Sequence, residues 1–120
     1  MSISALIVDD SLLARSMMRA AIVNLRPDWD IHEAKNGDAA LELVDETIPD
    51  LAFVDVNMPG IDGLELVSRF RTRFPDMAIA LVTANVQSST REHGANHDVP
   101  VIGKPIESTK LADFLSSIGH

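Results

Sequence analysis

Five short segments of the chain read as strands, and four of them stop on a group that can do chemistry. Ile3 to Val8 closes on Asp9-Asp10, Leu51 to Val54 ends on Asp55, and Met77 to Val82 closes on Thr83. Pro100 to Ile102 is a brief run followed by Gly103-Lys104-Pro105. Trp29 to Ala34, with Ile31 as its clearest core residue, runs into the turn signal Asn36-Gly37. Apolar runs without polar alternation suit strands buried on both faces of a parallel sheet.

The stretches between them carry helical spacing. From Ser11, Leu13, Met17, Ala21 and Leu25 recur at i, i+4, with Met18 and Ile22 beside them, Arg15 and Arg19 on another face, and Pro27 as the stop. Asp38 is the expected cap of a second helix that buries Leu41, Val44 and Ile48 and turns Glu42, Asp45 and Glu46 to water. After Gly63, Leu64, Val67, Phe70 and Phe74 point inward and Arg69, Arg71 and Arg73 outward, until Pro75. Val86 to Asn96 is a weak helix pattern, polar and interrupted by Gly94. Ser108 or Thr109 is expected to cap a last helix with Leu111, Phe114, Leu115 and Ile118 inward. Five strands alternating with five helices over short links predict a parallel sheet with helices on both faces. The pattern does not give the strand order.

Composition narrows the class. A length of 120 residues suits one domain, and 46% apolar residues exclude disorder. The formal charge of −8 argues against nucleic-acid binding and against anionic membranes. There is no cysteine, which removes thiol chemistry and fits a reducing, cytoplasmic setting. No segment reads as a signal peptide, and no apolar run is long enough to span a bilayer.

The chemistry follows from topology. If the strands are parallel, Asp9, Asp10, Asp55, Thr83 and Lys104 gather at the carboxyl edge of the sheet, where open α/β sheets bind ligands. Three carboxylates in one cleft repel each other, so a cation is the natural remedy. All-oxygen ligands with few carboxylates favour Mg²⁺ over a Ca²⁺ cage or a zinc site. A cation, a lysine and a hydroxyl are sufficient to stabilise a transferring phosphoryl group. A carboxylate held in line can itself be the nucleophile.

Four motifs then stand in order: Leu6-Ile7-Val8-Asp9-Asp10-Ser11, Val54-Asp55-Val56-Asn57-Met58-Pro59-Gly60-Ile61-Asp62-Gly63, Val82-Thr83-Ala84 and Lys104-Pro105-Ile106. Together the sequence resembles the receiver domain of two-component response regulators, of the single-domain, chemotaxis-regulator-like kind, over essentially the whole chain. The resemblance implies an α/β, flavodoxin-like, doubly wound five-stranded parallel sheet in the order 2-1-3-4-5 with five helices. It implies a single receiver domain over residues 1–120 with no attached output domain. It implies a phosphorylation-activated switch in a phosphorelay, not a turnover enzyme, whose Asp55 takes a phosphoryl group from a histidine kinase or phosphotransfer protein. By the family pattern Asp10 and Asp55 bind Mg²⁺ (or Mn²⁺) through carboxylates, Asn57 through its backbone carbonyl, and Asp9 mainly through water. Lys104 pairs with the phosphoryl group, and Thr83 hydrogen-bonds it and moves with it. The Lys104–Pro105 bond is usually cis in the family, and Pro59 and Gly63 are structural. A downstream protein partner is expected on the face from the fourth helix to the fifth.

Each residue also has a plainer reading. Asp9-Asp10 can balance a helix dipole, Asp55 and Thr83 can end strands, and Lys104 can be a surface lysine. His93 and His97 lie one helical turn apart, a spacing that is not specific by itself. One departure stands out: the aromatic switch position, three before the lysine, is Val101, and Asn96-His97-Asp98-Val99-Pro100 is unusual for the family. Two other functions are therefore weighed. A phosphorylation-independent interaction module with a receiver fold draws on Val101. A hydrolase with an aspartyl-phosphate intermediate needs an acid two residues after its nucleophile, where Asn57 stands.

Overall fold

A computed structural model describes residues 3–84 and 99–120. Five strands, β1 (Ser4–Val8), β2 (Asp30–Ala34), β3 (Leu51–Asp55), β4 (Ala78–Thr83) and β5 (Val101–Gly103), form one sheet in the order β2-β1-β3-β4-β5. Every pairing is parallel, and the register sets Val8 opposite Ala34 and Val54, Asp55 opposite Val82, and Thr83 opposite Gly103. The strand ends that carry functional groups therefore share one edge. The described helices are α1 (Leu12–Leu25), α2 (Gly37–Glu46), α3 (Gly63–Arg73) and α4 (Ser108–Ser117). The expected helix over Val86 to Asn96 lies outside the described residues, as do His93 and His97.

The two faces of the sheet feed two cores, because successive strand residues point to opposite sides. Leu6, Val8, Ala52, Val54, Ile79 and Leu81 pack with Val44 of α2 and Leu66, Val67 and Phe70 of α3. Ala5, Ile7, Phe53, Ala80 and Val82 pack with Met18 and Ile22 of α1 and Leu111, Phe114 and Leu115 of α4. Phe53 and Phe114 meet edge to face at 5.6 Å, a favoured aromatic geometry.

Several local expectations shift. On α1 the buried pair is Met18 and Ile22, while Leu13 is 71% and Met17 51% exposed. Two apolar stripes compete on that helix, and the sheet takes the one that α4 can also cover; Ala21 and Leu25 end half-buried at its rim. The cap of α2 is Asn36, whose side chain accepts from the Ala39 N–H at 2.8 Å, and Asp38 sits in the first turn. Ala40 and Val44 are buried there, but Ile48 lies beyond the helix end and is exposed. On α3 Leu66 is buried with Val67 and Phe70, whereas Leu64 and Phe74 are half-buried. Neither Ser108 nor Thr109 caps α4: the helix starts at Ser108, and Glu107 precedes it without a side-chain cap bond. Strands β4 and β5 run one residue further than their apolar runs, so Thr83 is the last residue of β4 rather than the first beyond it.

Candidate functional site

Asp55 ends a strand in which all five residues are buried. The chain leaves it sharply. The Val56 N–H donates to the Val82 carbonyl at 3.1 Å, and the Gly63 N–H returns to the Val56 carbonyl at 3.0 Å. A Cβ on Gly63 would stand 2.0 Å from the Asp55 carbonyl oxygen, so the first residue of α3 has to be glycine. Gly60, at φ +78, makes the left-handed step inside the same turn. Exposed Pro59 sits just before it. The close approach at Gly63 supports the structural role read for that residue. The turn folds back against the backbone of Asp55 and Val56.

Asp9, just beyond β1, is held from several sides. Its N–H donates to the Ala34 carbonyl at 3.1 Å. Its Oδ1 accepts from the Ser11 N–H at 2.9 Å and its Oδ2 from Lys104 Nζ at 2.6 Å. Ser11 in turn caps α1 by accepting from the Ala14 N–H at 3.1 Å. Lys104 follows β5; its backbone N–H donates to the Thr83 carbonyl at 2.7 Å, which ties the ends of β4 and β5 together. Its Nζ also lies 3.4 Å from Asp55 Oδ1. In this state the lysine is paired more closely with Asp9 than with Asp55. The Lys104–Pro105 peptide is cis, matching the expectation from the resemblance. The Asn57 N–H reaches Asp55 Oδ1 at 3.4 Å, and Thr83 is buried at the neighbouring strand end.

One carboxylate oxygen from each of Asp9, Asp10 and Asp55 lies within 4.8 Å of the others. Asp9 and Asp55 are buried, and Asp10 is exposed. Burial and the nearby Asp9 charge hold the Asp55 carboxyl above its ordinary 3.8, against the pull of Lys104 and the Asn57 N–H. Burial draws Lys104 down, but its hydrogen bond to Asp9 and the charges of Asp55 and Asp9 outweigh this and leave it above 10.5. The trio thus carries more negative charge than one lysine offsets. Hard oxygen donors around an opening to water fit a divalent cation that keeps several water ligands, as Mg²⁺ or Mn²⁺ does. Neither His32 nor His120 belongs to this cluster.

One feature was not found from the sequence. Arg15 Nη1 donates to the Asp9 carbonyl at 2.7 Å, and its Nε bonds Glu33 Oε1 at 3.1 Å. Arg19 Nε bonds the other Glu33 oxygen at 2.7 Å. Burial raises the Glu33 carboxyl, yet the two guanidiniums overcome that and lower it below 4.5. Arginines four apart on a helix, with a glutamate at the next strand end, were the available signal. Val101, the position read from the sequence as the switch, stands at the start of β5 opposite Leu81, half-buried against the α2–α3 core, away from the carboxyl edge where Thr83 and Lys104 lie.

Comparison with known proteins agrees with this architecture. The family model described as "Response regulator receiver domain" matches residues 5–116. The chain is 34% identical over 114 residues to the positive alginate biosynthesis regulatory protein of Pseudomonas aeruginosa, covering 93% of this chain and 45% of that protein. It is 34% identical over 82 residues to the chemotaxis protein CheY of Listeria monocytogenes, covering 66% of each. It thus spans less than half the length of the first of these relatives. The fold matches chemotaxis protein CheY4 of Vibrio cholerae with a TM-score of 0.88 at 23% identity, over 98% of this chain and 99% of that one. It matches the signal receiver domain of an HD domain-containing protein from Pseudomonas fluorescens with a TM-score of 0.90 at 20% identity, over 98% and 94% of the two chains. With the sheet order, the acidic trio and the Lys104-Pro105 turn in place, the chain belongs to the response-regulator receiver-domain family.

Proposed function

We propose that the protein is a phosphorylation switch whose Asp55 accepts a phosphoryl group from the phosphohistidine of a histidine kinase or phosphotransfer protein. The observation that carries this reading is the convergence of Asp55 with Asp9, Asp10 and Lys104 at one sheet edge. An Asp55 oxygen attacks phosphorus in line as the P–N bond breaks, and the electron pair leaves with the imidazole nitrogen. Lys104 neutralises phosphoryl oxygens, and the Thr83 hydroxyl donates to one of them. Asp9, Asp10, Asp55 and the Asn57 carbonyl would hold Mg²⁺ or Mn²⁺. When bound, the cation neutralises charge that develops on the phosphoryl oxygens. The acyl phosphate is a state rather than a product, so the domain does not turn over a substrate.

The readout follows from the ion pairs. Lys104 exchanges part of its contact with Asp9 for the phosphoryl group. The Thr83–Lys104 backbone bond carries that change into β4 and β5. A downstream protein partner reads it on the face between the segment after β4 and α4. Val101 takes the place of an aromatic messenger, so the signal runs through Thr83. The setting is the cytoplasm, with neither nucleic acid nor membrane as a partner; among the described residues, no helix is long and apolar enough to cross a bilayer.

The test is intact mass after incubation with acetyl phosphate. One added phosphoryl group with Mg²⁺, none with chelator and none on Asp55→Asn supports the reading. A protein whose mass does not change with Mg²⁺ overturns it.

A further inference from the structure

One peptide unit joins Asp9 to Asp10, and a side chain of α1 holds its carbonyl. Arg15 Nη1 donates to the Asp9 carbonyl at 2.7 Å, while Arg15 Nε donates to Glu33 Oε1 at 3.1 Å. The guanidinium thus has two anchors through separate nitrogens, one on the acidic cluster and one on β2. The Arg15 side chain is only 14% exposed. Glu33 lies opposite Ile7 in the parallel register, and its other oxygen accepts from Arg19 Nε at 2.7 Å. Arg19 is 43% exposed and donates to the Ile31 carbonyl at 3.0 Å. The two arginines share Glu33 but differ in their second contact: Arg15 reaches the Asp9 peptide, and Arg19 reaches back along β2.

Charge alone does not account for Arg15. A guanidinium beside the acidic trio opposes the binding of a cation there. What it offers is direction. The peptide unit is planar, so holding its carbonyl fixes the plane at whose two ends the Asp9 and Asp10 side chains begin. We infer that Arg15 is a positioning residue for the divalent-cation site, and that Glu33 aims it. This role rests on the cation binding proposed above and adds to it two residues that do not touch the cation. Groups that orient metal ligands in this way are worth about 10–100-fold in metal affinity.

The test is Mn²⁺ binding to the unphosphorylated full chain, read from the free-ion electron paramagnetic resonance signal. Arg15→Met keeps the apolar stem and removes both donors. Its Kd should rise by about tenfold, the low end of that range. Arg19→Met also removes a positive charge and a bond to Glu33, yet its Kd should stay within about twofold, as an exposed charge allows. Glu33→Ala should weaken binding in the unmodified protein and have no further effect on top of Arg15→Met, because Glu33 acts through the guanidinium. Thermal unfolding confirms that each variant is folded. Arg15→Lys, which keeps the charge but loses the planar fork, should raise Kd as well and serves if Arg15→Met does not fold. A Kd for the Arg15 variant that is unchanged or lower overturns the inference, since lower is what charge removal alone predicts. Equal weakening by Arg15→Met and Arg19→Met also overturns it and leaves the bridge as a staple between α1 and β2. A loss from Glu33→Ala that persists in Arg15→Met overturns the part given to Glu33. An unmodified protein that binds no Mn²⁺ overturns the cation site itself.

Discussion

Helices α1 and α3 pack on opposite faces of the same sheet, and their outer surfaces differ. On α3 the apolar residues Leu66, Val67 and Phe70 are buried and the outside is charged. Arg69 pairs with Glu65 at 3.3 Å, Arg73 pairs with Asp45 of α2, and Arg71 donates to the Pro75 and Met77 carbonyls at 3.0 and 2.6 Å. On α1, Leu12, Leu13, Met17 and Val23 are exposed. That helix also begins at the acidic cluster. A single exposed leucine needs no explanation, but several apolar residues exposed on one helix make a candidate partner surface. On the function proposed above, α3 would support Asp55 and α1 would face the donor of its phosphoryl group.

Substitutions can break this contrast, and the largest effects belong to the buried faces. Phe70→Ala on α3 should cost about 3–5 kcal/mol, and Ile22→Ala on α1 about 2–5, because each leaves a cavity in a core. Denaturant unfolding measures both. Gly63→Ala should follow closely, near or beyond the upper end of the ~1–3 kcal/mol typical of forced overpacking. Here the added carbon meets backbone rather than a movable side chain, 2.0 Å from the Asp55 carbonyl oxygen. If unfolding shows Gly63→Ala to be neutral, the turn does not fold back against the Asp55 backbone as described.

The next effect changes with pH. Asp55 has its carboxyl raised by burial and by Asp9, so folding favours its protonated form. Its ionised form destabilises the fold at neutral pH, and that penalty disappears as pH falls through the raised value toward 3.8. Asp55→Asn should therefore raise the melting temperature at pH 7 without added cation, with the gain shrinking in acid. Melting curves across pH check the sign.

The smallest change in stability is expected on the outer face of α1. Leu13→Ser should stay within about 0.5 kcal/mol of the unmodified protein, as surface positions do. Its effect should appear in transfer: KM for a phosphohistidine-bearing protein rises by about fivefold or more, the effect of losing one strong interface contact. The rate with acetyl phosphate stays the same. The matching change on α3, Arg69→Ser, should alter neither. Equal effects from the two helices would erase the distinction.

These contrasts also mark what the sequence could disclose. The strand ends were legible because apolar runs stop abruptly on Asp9, Asp55 and Thr83. A parallel arrangement then brings those stops to one edge. The inward face of α1 was not legible, because Leu13-Met17 and Met18-Ile22 are both apolar stripes and only packing against the sheet and α4 chooses between them. The cap of α2 was misplaced by two residues because Asn36 and Asp38 can each accept the needed bond. The pairing of Lys104 with Asp9 at 2.6 Å, ahead of Asp55 at 3.4 Å, depends on tertiary geometry that spacing does not encode. The bridge from Arg15 and Arg19 to Glu33 joins α1 to β2 across more than ten residues of chain and leaves only a weak trace in sequence.

The claim at the centre is that Asp55, among all the acidic residues of the described edge, receives the phosphoryl group. Its most direct test is to phosphorylate the protein with Mg²⁺ and acetyl phosphate, reduce the acyl phosphate with borohydride, and map the residue converted to homoserine by peptide mass. The account predicts conversion at Asp55 alone. Conversion at Asp9 or Asp10, or a phosphorylated protein with Asp55 intact, would contradict it.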